Sequence, residues 1–345
     1  MISFSNDYSE GACPEILAAL TKENLVQNPG YGTDGHCAAA AEKIRAVCGC
    51  PGADVHFLVG GTPVNLISLA AFLRPHQAAI AATTGHIAVH ETGSIEATGH
   101  KVCTIDTPDG KLTPALVRAV VAEHTDEHMV QPHLVFIADS TEIGTLYQKA
   151  ELQALRAVCD ELGLLLYVDG ARLASALASE HSDLSLADLA HYADAFYIGG
   201  TKNGALMGEA LVICNDALKA DYRYIMKQRG GMLAKGWLLG LQFETLFTGD
   251  LYFSLARHAN AMATRLAQGF ADAGLGFFMP PVSNQIFPLL PLPLISELRK
   301  TFEFQLWGTP QGEMQAARFV CSWATPPQYV DALLAAVSLW ASKAG

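Results

Sequence analysis

Lys202 is the residue of this chain best placed for covalent chemistry. It follows the apolar run Ala195-Phe-Tyr-Ile and the turn Gly199-Gly-Thr, and leads into Asn203-Gly-Ala-Leu-Met-Gly208. A short strand therefore delivers one amine into a cluster of glycines and small residues, where backbone can approach a ligand closely. A lysine taken out of water loses its proton easily and becomes a nucleophile toward aldehydes. On this stretch alone, a lysine that simply reaches solvent from a strand end is an equal alternative.

Two other groups bear on that choice. The run Val55–Val59 ends in Gly60-Gly61-Thr62-Pro63 before a helical pattern, with Thr62 expected at the N-cap and Pro63 at the first helical position. The free N–H groups of such a turn, with the helix dipole behind them, suit a phosphate. Tight packing explains a strand-Gly-Gly-helix turn about as well. The turn is neither Gly-x-Gly-x-x-Gly nor the phosphate loop of NTPases, which weakens nucleotide readings. The run Leu164-Leu-Leu-Tyr-Val-Asp169-Gly-Ala-Arg172 puts a carboxylate at a strand's carboxyl end with an arginine three residues on. A buried aspartate is costly unless something cationic or hydrogen-bonding meets it. It either pairs with Arg172 or holds a protonated pyridine nitrogen. A phosphate cradle (Gly60, Gly61, Thr62), a carboxylate (Asp169) and an amine (Lys202) are the three groups that pyridoxal 5′-phosphate requires.

The elements that must position these groups alternate along the chain. Strands are expected over 54–59, 78–82, 134–137, 164–168, 195–198 and 209–214, with helices over 63–73, 113–123, 151–162 and 184–191 between them. Continuous apolar strands are those covered on both faces, so the pattern predicts a mostly parallel sheet sandwiched by helices. Ligands of such sheets bind at the carboxyl ends of the strands. Beyond Met232 long helices are expected, 233–247 and 252–273, then strands near Phe277 and Ile286 and helices over 295–302 and 327–342. The expected division is a large cofactor-binding domain over 1–250, its N-terminal segment lining the site, and a small C-terminal α/β domain over 251–345.

Composition narrows the function classes. With 22 basic and 34 acidic residues the net charge is −12, which argues against nucleic acid or an anionic membrane as partner. No apolar run is as long as a membrane span and the N-terminus lacks a signal-peptide pattern, so a cytoplasmic protein is the default. Eight scattered cysteines read as reduced thiols, and Cys48-Gly-Cys50 lacks the Cys-x-x-Cys spacing of redox and zinc motifs. The pairs His86/His90 and His124/His128 have i, i+4 spacing, but neither reads His-Glu-x-x-His. No metal is assigned. A metal-dependent hydrolase built on His86, His90 and Glu91 is the rival from another class, and a cofactor-binding protein without catalysis is a third.

Six ordered motifs carry a resemblance over nearly the whole chain: Ser3-Phe-Ser-Asn-Asp-Tyr8, Tyr31-Gly-Thr-Asp34, Gly60-Gly-Thr62 with Asn65, His86-Ile-Ala-Val-His-Glu-Thr-Gly93, Asp169-Gly-Ala-Arg172 and Gly199-Gly-Thr-Lys202. The chain resembles the low-specificity L-threonine aldolases, fold-type-I pyridoxal-phosphate lyases of amino-acid metabolism related to the aromatic β-eliminating lyases. The resemblance implies retro-aldol cleavage of L-threonine, L-allo-threonine and related β-hydroxy-α-amino acids to glycine and an aldehyde. A β-eliminating lyase or aminotransferase of the same fold is the runner-up. It further implies that Lys202 carries the cofactor, His86 stacks on its ring, and Arg172 sits beside the ring and the substrate carboxylate. Arg318 would clamp that carboxylate, Tyr31 and Asn6 would line the site, and Lys227, Arg229 or Lys235 would meet the phosphate, with Arg229 entered among the cofactor residues. The family is oligomeric, so a homodimer or homotetramer with shared sites is implied. One departure stands out. Where many relatives place a second histidine near the substrate hydroxyl, this chain reads Ala138-Asp-Ser-Thr-Glu142-Ile-Gly144. Glu142, His86 through a water, or His133 is then left to take the hydroxyl proton.

Overall fold

The computed structural model describes residues 1–344. Its centre is a seven-stranded sheet in the order Asp54–Leu58, Glu209–Ile213, Ala195–Gly199, Leu165–Asp169, Gln131–Ala138, Gln77–Ala82 and Val102–Ile105. Only Glu209–Ile213 runs against its neighbours; the other contacts in the sheet are parallel. The inner strands are buried along almost their whole length, because helices cover both faces. Two apolar clusters, one per face, hold the sandwich together. Phe196, Ile198 and Val212 belong to one, Tyr197, Leu211 and Leu58 to the other.

The helices follow from local chemistry. Lys149–Leu162 begins with a capping box between Gln148 and Glu151 and ends at Gly163 in the left-handed region (φ 65°), a conformation that glycine adopts without a Cβ penalty. The helix after the second strand is Gly61–Phe72, with Gly60 rather than Thr62 as the residue before it. The expected cap is therefore two residues late. No side chain caps this helix, so its first N–H groups keep their hydrogen-bonding capacity.

The C-terminal layer is smaller. Leu289–Pro291, Met314–Val320 and Gln305–Gln311 form an antiparallel sheet, with Gln285–Ile286 pairing on Met314–Val320. Helices Leu251–Asp272, Leu292–Leu298 and Pro327–Ala344 accompany it. The chain's first strand, Ile2–Ser3, lies parallel to Phe302–Glu303, and Phe4 packs in the core of this layer with Phe302 and Phe319. That pairing ends the helix expected over 295–302 at Leu298: Phe302 contributes more as a strand residue in an apolar core than as a last helical turn. Likewise the helix expected from Leu233 starts at Trp237, because residues 233–236 fold as a turn in which Gly236 lies against Gly32, leaving 2.7 Å for a Cβ.

All eight cysteines are free thiols. Among the described residues no helix is long and apolar enough to cross a membrane.

Candidate active site

The carboxyl ends of four parallel strands converge on one edge of the sheet, and the functional side chains come from the loops just beyond them. Leu165–Asp169 and Ala195–Gly199 are neighbours whose ends approach unusually closely. A Cβ on Gly170 would lie 1.8 Å from the Tyr197 carbonyl oxygen, and one on Gly199 would lie 2.4 Å from that of Ala171. Glycine is required at both places, and it lets Asp169 and the Lys202 turn share one space. The turn itself is tight, with the N–H groups of Gly200 and Thr201 both donating to the Gly208 carbonyl at 3.1 Å.

Lys202 opens into a cavity of about 320 Å³ whose walls include His86, Glu142, Arg172 and Arg318. The far side is closed by Tyr8, Gln305 and Trp307 from the N-terminal segment and the C-terminal sheet. Burial lowers the Lys202 ammonium to about 8, helped by repulsion from Arg172 and opposed by Asp7 and Asp169. A nucleophilic amine near neutral pH is the consequence.

Asp169, 3% exposed, is fixed from three sides. It accepts hydrogen bonds from the Tyr197 hydroxyl, from Asn65 Nδ2 at 3.0 Å and from the Ala171 N–H at 3.0 Å. Asn65 also donates to Glu91 at 2.8 Å, and Glu91 holds His86 Nδ1 at 2.8 Å. A carboxylate only accepts, so His86 carries its proton on Nδ1. Burial lowers the His86 imidazolium, but the Glu91 bond and the Asp169 charge outweigh it and leave the ring more basic than usual. Tyr197 joins this network to the Gly60-Gly61 turn, since a Cβ on Gly61 would sit 3.0 Å from the Tyr197 hydroxyl. Asp169 thus stands between the Gly60-Gly61 turn, which it reaches through Tyr197, and the Lys202 amine, on which its charge acts.

The two arginines differ. Arg172 makes a bidentate pair with buried Asp7, at 2.8 and 2.9 Å. Burial alone would raise Asp7, but Arg172, Lys202 and a hydrogen bond from Asn284 hold its carboxyl below the usual range. Arg318 donates to side-chain amide oxygens, that of Gln285 at 2.6 and 3.0 Å and that of Gln305 at 2.6 Å. Burial and the nearby Arg172 lower it to about 10. Its positive charge faces the cavity with neutral partners, as an anion site needs.

Residues 4–290 match the family model of the beta-eliminating lyases. The chain belongs to that family. It is 35% identical to the low specificity L-threonine aldolase of Pseudomonas aeruginosa, over 96% of this chain and 95% of that protein, and 34% identical to the one from a Pseudomonas species, over 96% of each. Its fold superposes on a Leishmania major threonine aldolase with a TM-score of 0.98 and 47% identity, covering 99% and 100% of the two chains. An aspartate aminotransferase from Thermus thermophilus, at 16% identity and a TM-score of 0.74 over 98% and 91%, shares the fold alone. Beta-eliminating lyases use pyridoxal 5′-phosphate, and the residues present suit it. Lys202 would supply the amine, Asp169 a fixed acceptor for a ring N–H, and Gly60 and Gly61 a turn without side chains at an uncapped helix start.

Of the residues expected at the site, Lys202, His86, Glu142, Arg172 and Arg318 share the one cavity. Asn6 turns its side chain onto its own segment, accepting from the Tyr8 N–H at 3.0 Å and from Ser9 Oγ at 2.9 Å. Within one chain Tyr31 and Arg229 do not line the cavity. Tyr31 borders a separate pocket with Arg223, beneath Lys227 Nζ at 4.3 Å from its ring. Arg229 is exposed at the end of the helix Tyr222–Gln228, and Lys235 is exposed as well. His133 lies near the amino end of Gln131–Ala138 and feels Arg74, Asp194 and His76, so the strand carries it away from the chemistry. His86 and His90 stand 5.5 Å apart, centre to centre. Among the described residues no group of three or more His, Cys, Asp or Glu could hold a metal ion.

Several contributors were not singled out from sequence. Asp7 and Tyr8 lay inside a quoted motif, next to Asn6, with nothing local to mark their partners. Gln305 and Trp307 come from a C-terminal strand that the sequence pattern did not resolve, and Gln285 lies in the strand expected near Ile286, where nothing local marks it as a partner of Arg318.

Proposed function

We propose that this chain is a low-specificity threonine aldolase, a carbon-carbon lyase that cleaves L-threonine, L-allo-threonine and related β-hydroxy-α-amino acids to glycine and an aldehyde. The observation that carries it is the meeting of a depressed lysine and an unneutralised arginine in one cavity, with a fixed aspartate whose charge acts on that lysine, in a chain 47% identical to a threonine aldolase. Lys202 would be the amine that holds the cofactor, and pyridoxal phosphate bound there would supply a sink for the electron pair of the breaking Cα–Cβ bond. Arg318 holds the substrate carboxylate, and Arg172, already neutralised by Asp7, braces that wall. His86 lies against the ring, fixed by Glu91. Glu142 takes the β-hydroxyl proton as the aldehyde forms. Its carboxyl is pushed up to about 7, by burial and then by Asp169, which suits a base at neutral pH.

The test is direct. Purified protein loaded with pyridoxal phosphate should be yellow, change its spectrum on adding threonine or glycine, and release glycine and acetaldehyde in equal amounts. Pyruvate with ammonia, or a keto acid, in place of glycine would assign the chain to an eliminating lyase or aminotransferase.

In this reading the lobes divide near residue 250, where the helix Leu251–Asp272 starts. The protein is a homo-oligomer, a dimer or tetramer, in which a second copy brings Tyr31 and a basic side chain such as Arg229 to the phosphate. Exposed Tyr31, at 45%, supports this. Light scattering that returned a single-chain mass for the active, loaded protein would refute it.

A further inference from the structure

Glu209–Ile213 is the one strand of the central sheet that runs backwards, and it enters from the edge at which its neighbours end. Its first residue therefore stands among their carboxyl ends: Glu209 is paired across from Gly199 on one side and Leu58 on the other. An alternating apolar run would place another aliphatic residue there. Instead a carboxyl that is 4% exposed lies beneath the lysine turn. It accepts the Gly200 N–H at 2.8 Å, two residues before Lys202.

We propose that Glu209 is the positioning residue for Lys202, a buried counter-carboxylate that fixes the turn through Gly200 and sets the charge of the amine. The inference rests on the reading that Lys202 is the amine that takes the cofactor. Lys202 is the cation that faces Glu209, while Asp169 faces it as a like charge and Tyr197 and Tyr252 as neutral phenols. Lys202 is itself faced by Arg172, Asp7 and Asp169, and its charge is felt by His86 and His90. Leaving a buried charge unpaired is costly, so each group favours ionisation of the other. Burial pushes the Glu209 carboxyl up to about 7 while it pushes the Lys202 ammonium down to about 8, and the charge of each opposes the shift of the other.

Glu209→Gln separates the two roles, since glutamine keeps an oxygen for the Gly200 N–H and loses the charge. The rate at which Lys202 is acylated by an amine-directed reagent is followed against pH in the cofactor-free protein, by mass spectrometry of the Lys202 peptide. The wild-type midpoint is expected well below that of surface lysines, and in E209Q it should fall further by about one pH unit, in the range for losing one nearby opposite charge. An unchanged midpoint in E209Q, with the wild-type midpoint depressed, overturns the role of Glu209 and leaves Lys202 standing. A wild-type midpoint equal to that of surface lysines overturns both. If E209Q does not fold, Lys202→Met gives the reciprocal reading. Infrared spectra of protein with isotope-labelled glutamate should show one more carboxyl staying protonated above neutral pH than in wild type, and no such gain overturns the pairing.

Discussion

Replacing Lys202 by alanine should abolish both the yellow colour and aldehyde release, with a loss larger than the roughly 10²–10⁴-fold that a single general base contributes. An ordinary lysine titrates near 10.4, whereas burial and Arg172 bring this one to about 8. At pH 8 that makes the neutral, nucleophilic form about a hundredfold more abundant than in an ordinary lysine. Lys202→Arg is the stricter control. It keeps a cation beside Asp7 and Glu209, so the buried carboxylates retain their counter-charge, but a guanidinium stays protonated and cannot form the bond. Both variants should retain wild-type circular dichroism. Aldehyde release within tenfold of wild type in either, together with colour that survives dialysis, would mean that another group carries the cofactor.

What the sequence disclosed and what it withheld have physical causes. Strands buried on both faces are written as continuous apolar runs, so Ala195–Gly199 and Leu165–Asp169 were visible to within a residue or so, and the groups at their ends came with them. That Glu209–Ile213 is antiparallel was not legible, because reversing a strand leaves its composition unchanged. The importance of Glu209 went unseen with it. The edge strand Val102–Ile105 was missed because it is short and half exposed. The strands Gln305–Gln311 and Met314–Val320 of the C-terminal sheet were missed for a different reason. Gln305–Gln311 is mostly exposed and carries Gly308 and Pro310, which are poor strand formers. Its pairing with Met314–Val320 is set by tertiary contact. Trp307 and Gln305 reach the cavity only through that pairing, so no spacing in the sequence could connect them with His86 or Lys202. Arg172 shows the same limit in reverse. Its motif was legible, but its pairing with Asp7 rather than Asp169 depends on a segment 165 residues away.

Glu142→Gln should lower turnover by about 10²–10⁴-fold while leaving substrate affinity near wild type, as expected when a proton acceptor used only in the bond-breaking step is lost. The stretch that carries it has no histidine, and His133 sits toward the other end of its strand, whereas the Glu142 carboxyl lines the cavity and can accept the hydroxyl proton directly. Its geometry supports the role: Oε1 accepts the His86 N–H at 2.8 Å, which orients the group and leaves Oε2 for the substrate. The pH dependence follows from its titration near 7. A base works only when deprotonated, so wild-type kcat should rise as pH passes upward through about 7, and that limb should vanish in the glutamine variant. Stability should move the other way. A carboxyl raised in the folded protein binds its proton more tightly there than in the unfolded chain, so ionising it destabilises the fold as pH climbs from the ordinary carboxylate range through 7. Glutamine removes that penalty, and its thermal midpoint at pH 8 should therefore exceed the wild type's. A variant that kept its activity and its acid limb would move the base to His86 acting through a water, since its ring lines the same cavity.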